Sequence, residues 1–112
     1  MRTNLITALL CTASMLLPGV HAQQTETNRQ ALAQLRAKAE AGDAQSQFEL
    51  GAAFSLGKFG GATNYEEAVR WYRKAAEQNY AAGQASLGAC CALGQGVAKN
   101  EVEAVNWFRK AA

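Results

Sequence analysis

Ser55 and Lys58 stand three residues apart, a spacing at which a lysine amine can activate a serine hydroxyl as a nucleophile for acyl transfer. Enzymes built on this pair open a helix with the serine, inside a much larger domain that also carries Ser-x-Asn and Lys-Thr-Gly elements. Neither element occurs in these 112 residues, and the glycines that follow Ser55 put it at the end of a helix. Cys90 and Cys91 are the second chemical candidate. Adjacent helical side chains diverge by about 100°, so a disulfide between them would distort the backbone. Cys91 reads as a small core residue and Cys90, aligned with Ala53, as a groove-edge residue; an intermolecular disulfide through Cys90 is the alternative. Glu66 with Glu67, and Glu101 with Glu103, resemble carboxylate pairs for acid–base work. Residues one or two apart point to different sides of a helix, so these are first-turn charges at the positive end of the helix dipole. Glu66 is also spaced to pair with Arg70.

Arg2, an apolar run over residues 5–17, then Pro18, Gly19 and Val20-His21-Ala22 describe a secretory signal peptide, residues 1–22, cut after Ala22. About 13 apolar residues fall short of the roughly 20 that a spanning helix needs. Leu10 precedes Cys11 where a lipidation signal has a small residue, which argues against a lipoprotein. Removal takes the only histidine, the only proline and Cys11, so no Ser-His or Cys-His nucleophile and no His-based metal site remains. No catalytic residue, metal or cofactor is expected. Residues 23–112 carry ten basic and nine acidic side chains, mixed in sign, which is no footprint for nucleic acid. Export implies the periplasm or the exterior, with no membrane attachment after cleavage. Ninety residues make one small domain, burying about 60–65 % of its unfolded surface.

The elements that would position these side chains come from a repeat. Residues 68–76 read AVRWYRKAA and residues 104–112 read AVNWFRKAA, 36 apart. Upstream, Gln47, Leu50, Gly51, Leu56 and Gly57 recur 37 residues on as Gln84, Leu87, Gly88, Leu93 and Gly94, so the loop of the first copy holds one extra residue. A fixed period in this range marks stacked units that bury their apolar faces against each other. The domain over 23–112 then divides into repeat 1 (39–76), repeat 2 (76–112) and an incomplete N-terminal helix (27–41).

Five helices are expected. Thr27-Asn28-Arg29-Gln30 can box the start of the first, with Ala31, Leu32, Leu35 and Ala39 as its stripe. Gly42 ends it and Asp43 caps the second, which carries Gln47, Leu50, Gly51 and Phe54 and stops near Gly57. After a loop over 58–63, Asn64 to Glu67 box the third, whose stripe is Ala68, Trp71, Tyr72 and Ala75. Asn79 stops it. The fourth runs from about Ala81 to Leu93, the turn Gly94-Gln95-Gly96-Val97 follows, and Asn100 to Glu103 box the fifth. Gly51 and Gly88 cost about 1 kcal/mol each inside a helix, so another backbone must approach there, with Ala68, Ala75, Ala104 and Ala111 as the surfaces. Trp71 and Trp107 fill the space between units. Trp71 is expected to lie between two units, and Trp107 to have none beyond it.

Leu-Gly-x-x-(aromatic)-x-x-Gly, Gly-x-Gly-Val and Glu-Ala-x-x-Trp-(Tyr/Phe)-x-Lys-Ala-Ala resemble the Sel-one-like repeat, a relative of the tetratricopeptide repeat, over about residues 39–112. The resemblance implies an all-α, right-handed solenoid of antiparallel helix pairs that acts as an adaptor for protein complexes, often in the bacterial envelope. Two positions depart from it: residues 57–62 lack the Gly-x-Gly-Val turn, and Cys91 stands where the first copy has Phe54. Cysteine-rich relatives pair cysteines between the two helices of one unit and have been described as penicillin-binding; this chain has no such partners.

The expected function is a non-catalytic module of the bacterial cell envelope, binding a protein or peptide in a groove of Gln45, Phe48, Glu49, Ala52, Ala82, Ala85, Ser86 and Ala89. The alternative is a β-lactam or cell-wall-peptide hydrolase using Ser55. Val105, Phe108 and Ala112 on the last helix have no following unit to cover them, which points to self-association or a docked partner.

Overall fold

A computed structural model describes residues 19–112, with side chains from position 23 onward. Five α-helices succeed one another: α1 (Gly19–Glu40), α2 (Ala44–Leu56), α3 (Tyr65–Glu77), α4 (Ala81–Leu93) and α5 (Glu101–Ala111), with a short 3₁₀ turn at Lys58–Gly60. The described residues contain no strand. Cys11 and the apolar run over 5–17 lie outside them.

Most helix ends follow from residue type. The Asp43 carboxylate accepts from the Ser46 N–H at 2.9 Å, Asn64 from Glu67 at 3.1 Å and Asn100 from Glu103 at 3.0 Å, each occupying an otherwise unpaired first-turn donor. Left-handed Gly57 and Gly94 close α2 and α4, and Asn79, with φ of 63°, ends α3. One start differs. α1 begins at Gly19, and the Thr27 hydroxyl donates back to the Gln23 carbonyl at 2.9 Å inside the helix instead of capping it. Gln23, Gln24 and Glu26 are themselves good helix formers, so nothing breaks the helix there.

Within each pair the helices touch through the predicted glycines. A Cβ added at Gly51 would lie 2.7 Å from the Tyr72 ring and 3.1 Å from the Ala68 carbonyl. At Gly88 it would lie 3.0 Å from Phe108 and 3.2 Å from the Ala104 carbonyl. Between pairs, Gly83 faces Ala75 in the same way, at 2.8 Å. Ala111 at the end of α5 is only half-buried. The recurring glutamines fasten one unit to the next: Gln47 donates to the Ala39 carbonyl at 3.1 Å and Gln84 to the Ala76 carbonyl at 3.2 Å. Both amides are buried, and both satisfy a carbonyl at the end of the preceding helix.

The tryptophans require a correction. Trp71 packs on Ala39 and Leu50, with Leu32, Leu35 and Phe54 around it, and Trp107 packs on the cluster formed by Ala68, Val69, Leu87 and Cys91. Both reach back to the preceding unit. The forward side of α3 is Val69, Tyr72 and Ala76, which are buried in a cluster with Leu87 and Cys90 of α4. What distinguishes the two tryptophans is burial: Trp71 is 6 % exposed, Trp107 half-buried.

The copies also differ in charge. In the second, Arg73 donates to Glu103 at 3.4 Å and the Trp107 indole N–H donates to the same carboxylate at 3.3 Å. In the first, Arg36 lies over the Phe54 ring at 5.6 Å and the Trp71 indole N–H is buried without a partner. Glu67, not Glu66, takes Arg70, at 3.2 Å. Spacings of three and four share a face, and here the shorter one wins.

Candidate protein-binding face

The expected groove residues fall on α2 and α4, the first helix of each pair, and none of the eight is buried. Two cavities open on this face. One, of about 320 Å³, is lined by Leu35, Phe48, Glu49, Ala52, Lys58 and Phe59. The other, of about 250 Å³, lies between α2 and α4, with Ser55, Tyr72, Ser86 and Cys90 in its lining and Leu56, Tyr65 and Ala89 beside them. Phe48 connects the two regions, its ring 5.9 Å from Tyr72 and 5.7 Å from Tyr80. The cavities thus take in Phe48, Glu49, Ala52, Ser86 and Ala89. Gln45, Ala82 and Ala85 line neither, and Gln45 is bonded to Glu49 at 3.0 Å.

The cavity between α2 and α4 is polar without being charged. Ser55 donates to the Ala52 carbonyl at 3.1 Å, and its oxygen lies 3.0 Å from the Tyr72 hydroxyl, which is therefore the donor of that pair. Burial pushes the Tyr72 hydroxyl up. Burial likewise pushes up the Cys90 thiol, with Cys91 adding to it. Both groups stay protonated at ordinary pH. The other cavity brings one charge of each sign, Glu49 and Lys58.

This geometry separates the Ser55–Lys58 pair. Ser55 sits in the last turn of α2 and opens on one cavity; Lys58 lies beyond the Gly57 cap and lines another. Cys90 and Cys91 are both free and buried, Cys90 in the lining of the α2/α4 cavity and Cys91 in the core. Among the described residues no group of three His, Cys, Asp or Glu side chains is placed to hold a metal ion. Nor is any described helix long and apolar enough to cross a membrane.

Sequence reasoning missed Leu35, Ser55, Leu56, Lys58, Phe59, Tyr65, Tyr72 and Gln95 as cavity residues. One signal was available. Leu56 recurs as Leu93 although neither fits the buried stripe of its helix, and both are 67 % exposed. Phe59 carried no such signal: it is the residue of the longer first loop that adopts a left-handed backbone, with φ of 59°, uncommon for an aromatic.

The chain has counterparts in known proteins. The family model described as Sel1 repeat matches residues 44–80 and 81–112, one helix pair each. The chain is similar to the crystal structure of c5321, a protective antigen of uropathogenic Escherichia coli strains displaying an SLR fold, with 39 % identity and a TM-score of 0.67 over 71 % of this chain. It is also similar to the crystal structure of a Sel1 repeat protein from Oxalobacter formigenes, with 36 % identity and a TM-score of 0.69 over 71 % of this chain. It spans 17 % and 60 % of those two chains. No curated protein matches it. Two matched units on an all-α solenoid of stacked helix pairs show that the chain belongs to the Sel1 repeat family.

Proposed function

We propose that the chain is a non-catalytic interaction module, exported to the bacterial cell envelope, that holds a protein segment along the α2/α4 face. The Sel1 repeat family supplies the coarse reading, a protein–protein interaction scaffold. The observation that carries the finer one is the pair of cavities on a single face, one setting Glu49 and Lys58 among Leu35, Phe48 and Phe59, one uncharged and lined by the hydroxyls of Ser55, Tyr72 and Ser86. Leu56 and Tyr65, 67 % and 37 % exposed, stand beside the second cavity as apolar surface in water. Such a face suits a segment offering an apolar anchor together with main-chain or uncharged polar groups.

Export is supported by the basic start, apolar run and Ala22 of the leader, and a cut there leaves α1 from Gln23 to Glu40. Mass spectrometry of the protein released from the periplasm is expected to find Gln23 at its N-terminus; an uncleaved chain in the cytoplasm would refute export. For the binding face, envelope extract is passed over immobilised wild type, Ala52→Arg, Ala89→Arg and the control Ala98→Arg. Proteins retained by wild type and Ala98→Arg but lost on both face variants support the reading, and identical retention by all four refutes it. No nitrocefin turnover is expected.

A further inference from the structure

Three of the six exposed large hydrophobic side chains among the described residues lie on α5: Val102 is 74 % exposed, Val105 46 % and Phe108 42 %. Their counterparts one repeat earlier show what such a face requires. Val69 and Tyr72, aligned with Val105 and Phe108, are each 6 % exposed, packed with Leu87 and Cys90 of α4. On α5 the spacing 101, 102, 105, 108, 109 keeps the row on one side of the helix, and a shallow hollow of about 310 Å³ runs along Glu101, Val102, Val105 and Arg109.

We propose that this surface pairs with the same surface of a second copy of the chain, the two α5 helices lying antiparallel about a two-fold axis at Val105. The charge order of the helix selects this occupant. Glu101 lies four residues before Val105 and Arg109 four after it, about 6 Å to either side, so the antiparallel two-fold sets each Glu101 opposite Arg109 of the other copy. The same axis sets Val102 opposite Phe108 and Val105 opposite itself. A parallel pairing would set like charges together. Glu101 otherwise meets only Lys99, at 3.6 Å on an exposed surface, a contact too weak to hold it back. A second copy has no uncovered first-of-pair helix to lend, because α2 is packed between α1 and α3 and α4 between α3 and α5. The pairing is independent of the α2/α4 face, which stays open in the dimer.

A single pair of helices buries less than a standard interface, so the dimer is a weak one, forming between about 10 µM and 1 mM. Sedimentation equilibrium over that range compares the purified wild type with Glu101→Arg, Arg109→Glu, the double swap and Val105→Glu, thermal melts confirming that each variant is folded. The expected result is a wild-type dimer, weakened about fivefold or more by either single swap, recovered in the double swap and lost in Val105→Glu. A wild type that stays monomeric to about 1 mM overturns the proposal. So does a dimer indifferent to Val105→Glu, or a double swap no better than the single ones.

Discussion

Glu103 shows how one substitution reshapes the chemistry of a repeat. It accepts from Arg73 and from the Trp107 indole, and its neighbour Cys91 is small. Where the second copy has Cys91 the first has Phe54, onto which Arg36 stacks, and Trp71 keeps an unpaired N–H. The lysines after each tryptophan behave alike: Lys74 and Lys110 lie over the indole rings at 4.6 and 4.7 Å, which accounts for their recurrence. Two predictions belong at this scale. Hydrogen bonds from Ser46, through its side chain and backbone, hold the Asp43 carboxyl below its usual value. A lowered folded value means that its contribution to stability is present above the unfolded value and is lost as pH falls through the folded one. Asp43→Asn should therefore flatten the acid limb of the melting-temperature profile below about pH 4 while the rest of the profile keeps its shape. Burial pushes both thiols up, with Glu103 adding to the effect on Cys91. Under native conditions at pH 8 a disulfide reagent should leave Cys90 and Cys91 unlabelled, and in denaturant it should titrate both; fast native labelling would contradict the packing.

At the scale of the element, much was legible in the sequence, because caps and close approaches are local. Asp43, Asn64 and Asn100 are side chains whose acceptor reaches a donor three residues on, and Gly51 and Gly88 are costly unless a backbone passes nearby. Thr27 shows the limit. A capping sequence works only where the preceding residues leave the helix, and residues 23–26 do not. Cavity residues such as Tyr65 and Phe59 were illegible for another reason, since they meet α2 and α4 across a loop whose path no periodicity describes. The paired glycines give the sharpest prediction. Tyr72 is buried beneath α4, whereas Phe108 is 42 % exposed and can swing aside. Gly51→Ala should cost about 2–3 kcal/mol through overpacking. Gly88→Ala should cost about 1 kcal/mol or less, because relief of the ring and the better helix propensity of alanine offset the clash. Urea melts of the two variants check the order.

For the whole molecule, each unit leans on the one before it, through Trp71 on α1 and Trp107 on α3, and through Gln47 and Gln84 on the helix ends behind them. Truncating a tryptophan therefore loosens the junction on its N-terminal side. Trp71→Ala should cost about 3–5 kcal/mol and half-buried Trp107→Ala about 1–3 kcal/mol, read from denaturant midpoints. The stacking leaves the first helices of the two pairs side by side, and the central claim is that their shared face holds a protein segment. Site-specific photo-cross-linking in living cells tests it most directly, with the reactive side chain placed in turn at Ala52, Ser86 and Ala89, and at Arg70, whose side chain is 75 % exposed on α3. The predicted result is one discrete adduct from all three face positions and none from position 70. Adducts from position 70 alone, or none from any face position, would contradict it.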